Sequence, residues 1–410
     1  MDEIDVPPFF ICPISLDLMK DPVTLSTGIT YDRESIDKWL FSGNKTVCPV
    51  TKQFISDCEL VPNHTLRRLI QSWCTLNACH GIQRIPTPKP PISNAQITKL
   101  LHDATKSPLQ QMKCLRRLRS IASANATNKR CIESSGAVEF LASIVSDFDS
   151  TAADEALNTL YNLQLSQAAL RNLMGRNGDF LVSLTTVLQR GSFESRAYAV
   201  FLLQSMLEIA DPMQLIGLRL ELFVQLVRVL CDKISQQASK ATLKLLVTIS
   251  PWGRNMIKAA EAGMVPVLID MLLDSAQRRT CELILTVLDE VCRCAEGRSE
   301  LLNHGAGFAV VSKKILRVSR VANQRAVRIL WSISKFCASC NVLQEMVQLG
   351  IVAKLCLVLQ VECGHRTKEK AREVLKLHAR VWMNSPCIPS NLLSILPDIL
   401  ISCLNLLVQV

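Results

Sequence analysis

The stretch Phe10-Ile11-Cys12-Pro13-Ile14-Ser15-Leu16-Asp17-Leu18-Met19-Lys20-Asp21-Pro22-Val23 decides how the amino-terminal part folds. At short intervals it is followed by Gly28-Ile29-Thr30-Tyr31-Asp32-Arg33, Ile36-Asp37-Lys38-Trp39-Leu40, Cys48-Pro49-Val50-Thr51 and Leu60-Val61-Pro62-Asn63-His64-Thr65-Leu66. The segment Val23–Tyr31, with Thr27-Gly28 at its centre, has the pattern of a β-hairpin. Asp32 is placed to cap a helix over Arg33–Phe41, and Asn63 to cap one over Thr65–Cys74 or to tie the second Cys-Pro loop. Ile11, Leu18, Val23, Ile36, Leu40, Leu60, Leu66 and Ile70 provide a small core. A fold of about 70 residues is marginal without a metal or disulfide, so hydrogen bonds from short polar loop residues must support it.

Past residue 79 the character changes. Ile85-Pro86-Thr87-Pro88-Lys89-Pro90-Pro91 holds four prolines in seven residues and reads as a stiff linker. Beyond it, apolar residues recur at helical spacing. Cys131-Ile132-Glu133-Ser134-Ser135-Gly136-Ala137-Val138 resembles Lys258-Ala259-Ala260-Glu261-Ala262-Gly263-Met264-Val265, and similar junctions fall at Gly178, Leu220, Gly305 and Gly350. Their spacings are 42, 42, 43, 42 and 45 residues, the period of HEAT and armadillo solenoids. Each glycine is expected to end a short helix in the left-handed conformation. A third amphipathic segment follows each junction, as in Glu155–Leu165, Ser195–Leu207, Ala238–Ile249, Thr280–Cys294 and Gln324–Phe336, which favours the three-helix armadillo unit. Gln96–Ala124 reads as an incomplete first repeat. Of the asparagines that peptide-binding armadillo proteins align along their groove, only Asn162 has a counterpart here, so a reader of basic peptides is disfavoured.

Composition bounds the rest. Of 410 residues, 49% are hydrophobic and 20% charged, enough for a large core and too apolar for a disordered chain. The seventeen cysteines are scattered and odd in number, which fits a reducing compartment, and the acidic start Met1–Asp5 does not resemble a secretory or transit peptide. A cytoplasmic location, with the nucleus as second choice, is expected. Residues 1–79 carry 7 basic and 10 acidic side chains, and residues 80–410 carry 39 and 26. The second part would attract acidic partners. No interleaved aromatic and basic motif points to nucleic acid.

The amino-terminal frame resembles a RING finger stripped of its metal. The eight places at which a RING binds two zinc ions hold Cys12, Ser15, Thr27, Ile29, Asp32, Ser35, Cys48 and Thr51. Two thiols cannot supply two four-donor zinc sites, so no metal and no cofactor is expected. The frame is similar to the U-box, and its union with an armadillo array resembles the plant U-box/armadillo E3 ubiquitin ligases. The fold this implies is mainly α, with a small α+β U-box at 5–79, a proline-rich linker at 80–94, an α-α armadillo-type solenoid of about six repeats plus caps at 95–385, and an apolar tail or capping helix at 386–410. The short subgroup it most resembles is linked to plant stress and defence.

By that resemblance the protein carries no catalytic nucleophile. It binds a ubiquitin-charged E2 conjugating enzyme, holds the ubiquitin for attack, and presents a protein substrate on its repeats. Ile14 and Leu16 from the first loop, Trp39 from the central helix and Pro49 from the second loop form the implied E2 platform. Lys52 is the implied hydrogen-bond donor towards E2 and ubiquitin, while Cys12, Asp32, Cys48 and Asn63 are structural. Homo-oligomerisation is a further implied property. The rival function is a non-catalytic armadillo scaffold with a decayed U-box.

Cys12 has no neighbouring histidine to activate it. Cys292, Cys294, Cys337 and Cys340 read as small apolar residues of helices. The set Cys74, Cys79 and His80 lacks a fourth metal donor. In the apolar tail, Pro397, Asp398 and Asn405 interrupt any membrane span, so a cap on the last repeat is expected, with peripheral membrane contact as the alternative.

Overall fold

The computed structural model describes residues 6–42, 47–55, 60–78, 82, 92–147, 151–175 and 179–383. The linker prolines at 86, 88, 90 and 91, the pair Cys79 and His80, and the tail at 386–410 lie outside the described residues. The chain divides into two compact units, at 1–137 and 138–410.

In the first unit, strand β1 (Pro22–Thr24) is central to a three-stranded antiparallel sheet, flanked by β2 (Thr30–Asp32) and β3 (Val61–Pro62). The expected hairpin forms, with Val23 opposite Tyr31, and Gly28 takes the left-handed conformation its turn requires at φ +78°. Helix α1 (Arg33–Asp37) runs into a π turn at Lys38–Ser42, and α2 (His64–Leu76) closes the sheet-bearing part. Four expected core residues, Val23, Ile36, Leu40 and Ile70, are buried, whereas Ile11, Leu18, Leu60 and Leu66 are only partly so. Phe10, Cys12, Met19, Leu25, Tyr31, Cys48, Ile55 and Cys74 complete the core.

The unit continues into α3 (Asn94–Ala104), α4 (Pro108–Ala122) and α5 (Ala126–Ser134). Gln96–Ala124 is thus two helices, broken where Ser107 caps α4 by accepting from Gln110 N. The buried Asp37 carboxylate ties α1 to α5: Thr127 donates to it at 3.3 Å, and Arg130 lies at 4.0 Å. Burial pushes that carboxyl up, against the opposing pull of Arg130 and Arg33. The compact unit therefore does not end at the linker.

In the second unit, helices at Thr151–Leu163, Phe193–Leu207, Gln236–Ile249, Arg278–Val291, Arg320–Phe336 and His365–Leu377 pack side by side in one row. They are the third helices of successive repeats. Side chains bonded to carbonyls about one repeat away hold the stack in register. Lys314 Nζ reaches Ser275 O at 3.0 Å, Lys354 Nζ reaches Ser312 O at 3.1 Å, Asn255 Nδ2 reaches Leu215 O at 2.8 Å, and Ser332 Oγ reaches Cys292 O at 2.9 Å. Each accepting carbonyl lies in the last turn or at the C-cap of a helix, where the intrahelical ladder runs out.

Gly136, Gly263 and Gly350 adopt the expected left-handed conformation. Gly305 does not: its backbone stays at negative φ, and His304 Nδ1 satisfies the Ala306 N–H instead. Gly178 lies outside the described residues. Among the described residues no single helix is long and apolar enough to cross a membrane.

Candidate functional site

Two loops of the first unit share one construction. In Cys12–Asp17, Leu16 N donates to Cys12 O at 2.9 Å and Cys12 N to Asp17 O at 2.8 Å. In Cys48–Gln53, Lys52 N donates to Cys48 O at 3.0 Å and Cys48 N to Gln53 O at 2.9 Å. Isolated bridges Ile11–Leu18 and Val47–Phe54 close the two loops. The fifth residue of each, Leu16 and Lys52, is left-handed with φ +59°. Such a turn points amides inward around the cysteine and side chains outward.

Adjacent residues of β2 hold the two loops. Tyr31 OH lies 3.0 Å from Cys48 Sγ, and Asp32 N donates to Cys12 Sγ at 3.3 Å. Around Cys12 gather the Ser15 hydroxyl and the amides of Ile14, Ser15 and Asp32. Around Cys48 gather Thr51, Tyr31 and Thr27. Burial raises both thiols, but these hydrogen bonds outweigh it: Cys12 is lowered, and Cys48 falls to about 6. Burial and the bond to Cys48 push Tyr31 upward. Each cluster has a single sulfur donor, and its remaining members are hydroxyls and backbone amides. That set does not suit a structural zinc ion, and among the described residues no other cluster of metal-binding side chains occurs.

Asp32 departs from its expected role. It stands at the N-cap of α1, but its side chain makes no cap bond. Its Oδ1 instead accepts from Lys20 N at 2.8 Å and Asp21 N at 2.9 Å, fastening the chain that leaves the first loop. The helix is also shorter than expected, since the backbone changes to a π turn at Lys38. Asn63 does cap α2, accepting from Leu66 N at 3.0 Å. Its amide reaches Thr24 Oγ1 at 3.4 Å, so it ties the sheet rather than the second loop. Below it, Asp21 pairs with Arg33 at 2.7 Å and Arg67 at 3.7 Å.

The outward side chains form the working surface. Leu16 is 76% exposed, while Ile14, Trp39 and Pro49 are half-buried, with Ile14 and Trp39 packed on the core. Trp39 Nε1 donates to Val47 O at 3.0 Å, joining the central helix to the second loop, and Lys52 Nζ lies 5.8 Å from the Trp39 ring centre. Sequence reasoning missed Val50 and Phe54, 52% and 71% exposed beside that loop. It also missed Tyr31 as the residue that holds Cys48. The signal was available, because Tyr31 is the inward member of the alternation Thr30-Tyr31-Asp32.

The profile of the U-box domain matches residues 6–78, and that of the plant U-box protein ARM repeat region matches residues 95–397. The chain belongs to the plant U-box E3 ubiquitin ligases that carry an armadillo-repeat region. It is 58% identical over 403 residues to E3 ubiquitin-protein ligase PUB23 of Arabidopsis thaliana, covering 97% of this chain and 98% of that one. It is 56% identical to PUB22 of the same plant, covering 95% and 98%. A solved structure from work on a phosphorylation switch between cadherin and beta-catenin superposes on 77% of this chain and 59% of its own, with a TM-score of 0.60 at 15% identity. That likeness concerns the fold alone. As a U-box E3 ligase the protein forms no covalent intermediate with ubiquitin, and the non-catalytic scaffold alternative falls away.

The remaining candidates in this U-box ligase are structural. Cys12, Cys48 and Cys292 are all fully buried. Cys294, only partly buried, caps the helix Ala295–Asn303 by accepting from Gly297 N at 3.4 Å, Cys337 is partly buried at the end of Arg320–Phe336, and Cys340 is exposed; none of the three is the buried apolar residue expected. Asn162 bonds within its own helix, to Asn158 O at 2.9 Å.

Proposed function

We propose that Ile14, Leu16, Trp39 and Pro49 form the surface that receives the ubiquitin-charged E2, and that Lys52 donates a hydrogen bond across the E2–ubiquitin junction. The observation that carries this is the pair of equivalent loops, whose buried cysteines turn apolar side chains and one lysine outward. An apolar patch of this kind on a small domain is costly unless a partner covers it. With no nucleophile on the ligase, acceleration comes from holding the charged ubiquitin and a substrate lysine within reach. Cys12, Asp32, Cys48 and Asn63 keep the loops in shape.

The substrate is a protein held by the armadillo repeats, selected through their basic surface. We infer that the protein works in the cytoplasm, with the nucleus as a second compartment, in stress and defence signalling. The thirteen free cysteines among the described residues fit a reducing compartment. The signalling role rests on resemblance to the short plant subgroup.

The test is self-ubiquitination with activating enzyme, a panel of E2 enzymes, ubiquitin and ATP, with and without a zinc chelator. Ile14→Ala and Trp39→Ala run beside the wild type after a check of folding by circular dichroism. Activity that survives the chelator and is lost in both variants is expected. Full activity in both folded variants would remove the platform.

A further inference from the structure

The positive charge of the solenoid is not spread evenly. The four third helices Gln236–Ile249, Arg278–Val291, Arg320–Phe336 and His365–Leu377 carry 13 basic and 5 acidic residues. The two before them in the row, Thr151–Leu163 and Phe193–Leu207, carry 1 and 3. Neighbouring helices in this row pack directly on one another, so the four basic helices form one contiguous block of the row. Lys244, Arg278, Arg279, Lys335 and Arg366 are exposed.

Part of this charge is compensated internally. Asp289, buried, pairs with Arg325 at 2.8 Å and Arg328 at 3.2 Å, and Lys370 pairs with Glu373 at 3.0 Å. Among the described residues, Lys240, Lys244, Arg320, Lys335 and Arg366 form no ion pair with a carboxylate. Unpaired like charges on neighbouring helices repel, and they favour an anionic ligand. Between the last two helices of the row lies a cleft of about 310 Å³ lined by Gln324, Arg328, Trp331, Arg366, Glu369 and Lys370. The Trp331 indole donates to Glu373, and Lys370 Nζ stands 3.7 Å over its ring. The cleft wall is thereby fixed before any ligand arrives.

Single-stranded nucleic acid would need free aromatic faces for its bases. The aromatic rings on these four helices apart from His365 are Trp331 and Phe336, and cations already cover both: Lys370 and Lys335 stand over Trp331, and Arg298 and Lys335 over Phe336. An extended peptide needs no such platform. Helices about 10 Å apart are crossed by about three extended residues each, so four helices span a segment of about 12 residues.

We propose that the third-helix row from Gln236 to Leu377 binds an extended, carboxylate-rich segment of the protein substrate, with one of its acidic side chains in the Trp331 cleft. This rests on the reading that the repeats hold the substrate. Asp and Glu side chains then neutralise the unpaired cations, and the acidic helices at the start of the row exclude the segment there, which fixes its position along the row.

A fluorescein-labelled peptide of about 12 residues, rich in Asp and Glu, is titrated with the full chain and followed by anisotropy. A Lys/Arg-rich peptide, a phosphoserine peptide with the carboxylates replaced by Gln and Asn, and an oligothymidylate of matching length serve as comparisons. Binding of the acidic peptide, weakened by salt and about tenfold weaker in Lys244→Glu/Arg366→Glu, is the expected result. Both positions are exposed, and circular dichroism checks the fold. Equal binding of the basic peptide, unchanged affinity in the double variant, or tighter binding of the phosphopeptide or oligothymidylate overturns the proposal. In parallel, a lysine-bearing carrier protein is ubiquitinated with and without the acidic peptide fused to it. Binding without faster ubiquitination of the fusion would keep the acidic site and defeat the substrate reading. Absence of binding would defeat the site while self-ubiquitination still reports the ligase.

Discussion

Leu16 and Lys52 hold one backbone conformation, φ +59°, at the fifth place of two Cys-Pro loops 36 residues apart. Left-handed geometry costs a residue with a Cβ about 1–2 kcal/mol, which glycine avoids. Both loops therefore retain a strained residue whose side chain points outward. Lys52→Gly should slow amide exchange across 47–55, a local gain of up to about 1 kcal/mol, while slowing ubiquitin discharge from the E2. Lys52→Ala should slow discharge with no such gain. If the two variants discharge ubiquitin at the wild-type rate, Lys52 serves only the turn.

Cys48 sits where burial and hydrogen bonding oppose each other, and hydrogen bonding wins, leaving its thiol at about 6 against 9.0 when unperturbed. A depressed acid stabilises the fold when ionised. Its contribution is full above about pH 9 and is lost as the pH falls through about 6. Cysteine ¹³Cβ shifts of the full chain should show Cys48 titrating near 6, with exchange protection of 22–32 rising with pH above that point. Thr51→Val removes one donor and should move the midpoint upward. A midpoint near 9 in the wild type would mean that Tyr31 and Thr51 do not hold a thiolate.

Much of this was legible in the sequence because the relevant signals repeat. The spacing of junctions gave the solenoid, and the eight-place frame gave both loops. The failures have local causes. Asp32 followed by a helix looks like a cap, yet the orphan amides of Lys20 and Asp21, brought in by the hairpin, compete for the same carboxylate. Gly305 looks like Gly263, but the chain turns there on His304, whose Nδ1 accepts from Ala306 N and whose carbonyl accepts from Gly307 N. A second repeating signal went unused: Ser192, Ser235 and Ser319 each cap a third helix, as Ser107 caps α4. Those serines mark helix starts more sharply than the glycines mark ends.

Asp32 separates a cap from a loop tie. Asp32→Ala leaves the amides of Lys20 and Asp21 without their acceptor, at a cost of about 3 kcal/mol for two bonds to a charged group. Asp32→Asn keeps an acceptor oxygen and should cost about 1 kcal/mol. Hydrogen exchange locates the damage: acceleration in 18–22 ahead of 33–37 is expected, and the reverse order would restore the capping role.

Trp39 serves two purposes that a pair of variants can divide. Its ring packs on the core and faces Lys52, and its Nε1 holds Val47 O. Trp39→Phe keeps an aromatic surface and loses the hydrogen bond, so the second loop should loosen by about 1 kcal/mol while E2 binding falls modestly. Trp39→Ala loses both and should abolish transfer at E2 concentrations that saturate the wild type. Calorimetric titration with an E2 that supports transfer measures the difference. A binding surface is restored by aromatic shape, whereas a purely structural tryptophan is not. Equal loss in Trp39→Phe and Trp39→Ala would therefore place the importance of Trp39 in the bond to Val47, and the apolar surface would rest on Ile14, Leu16 and Pro49.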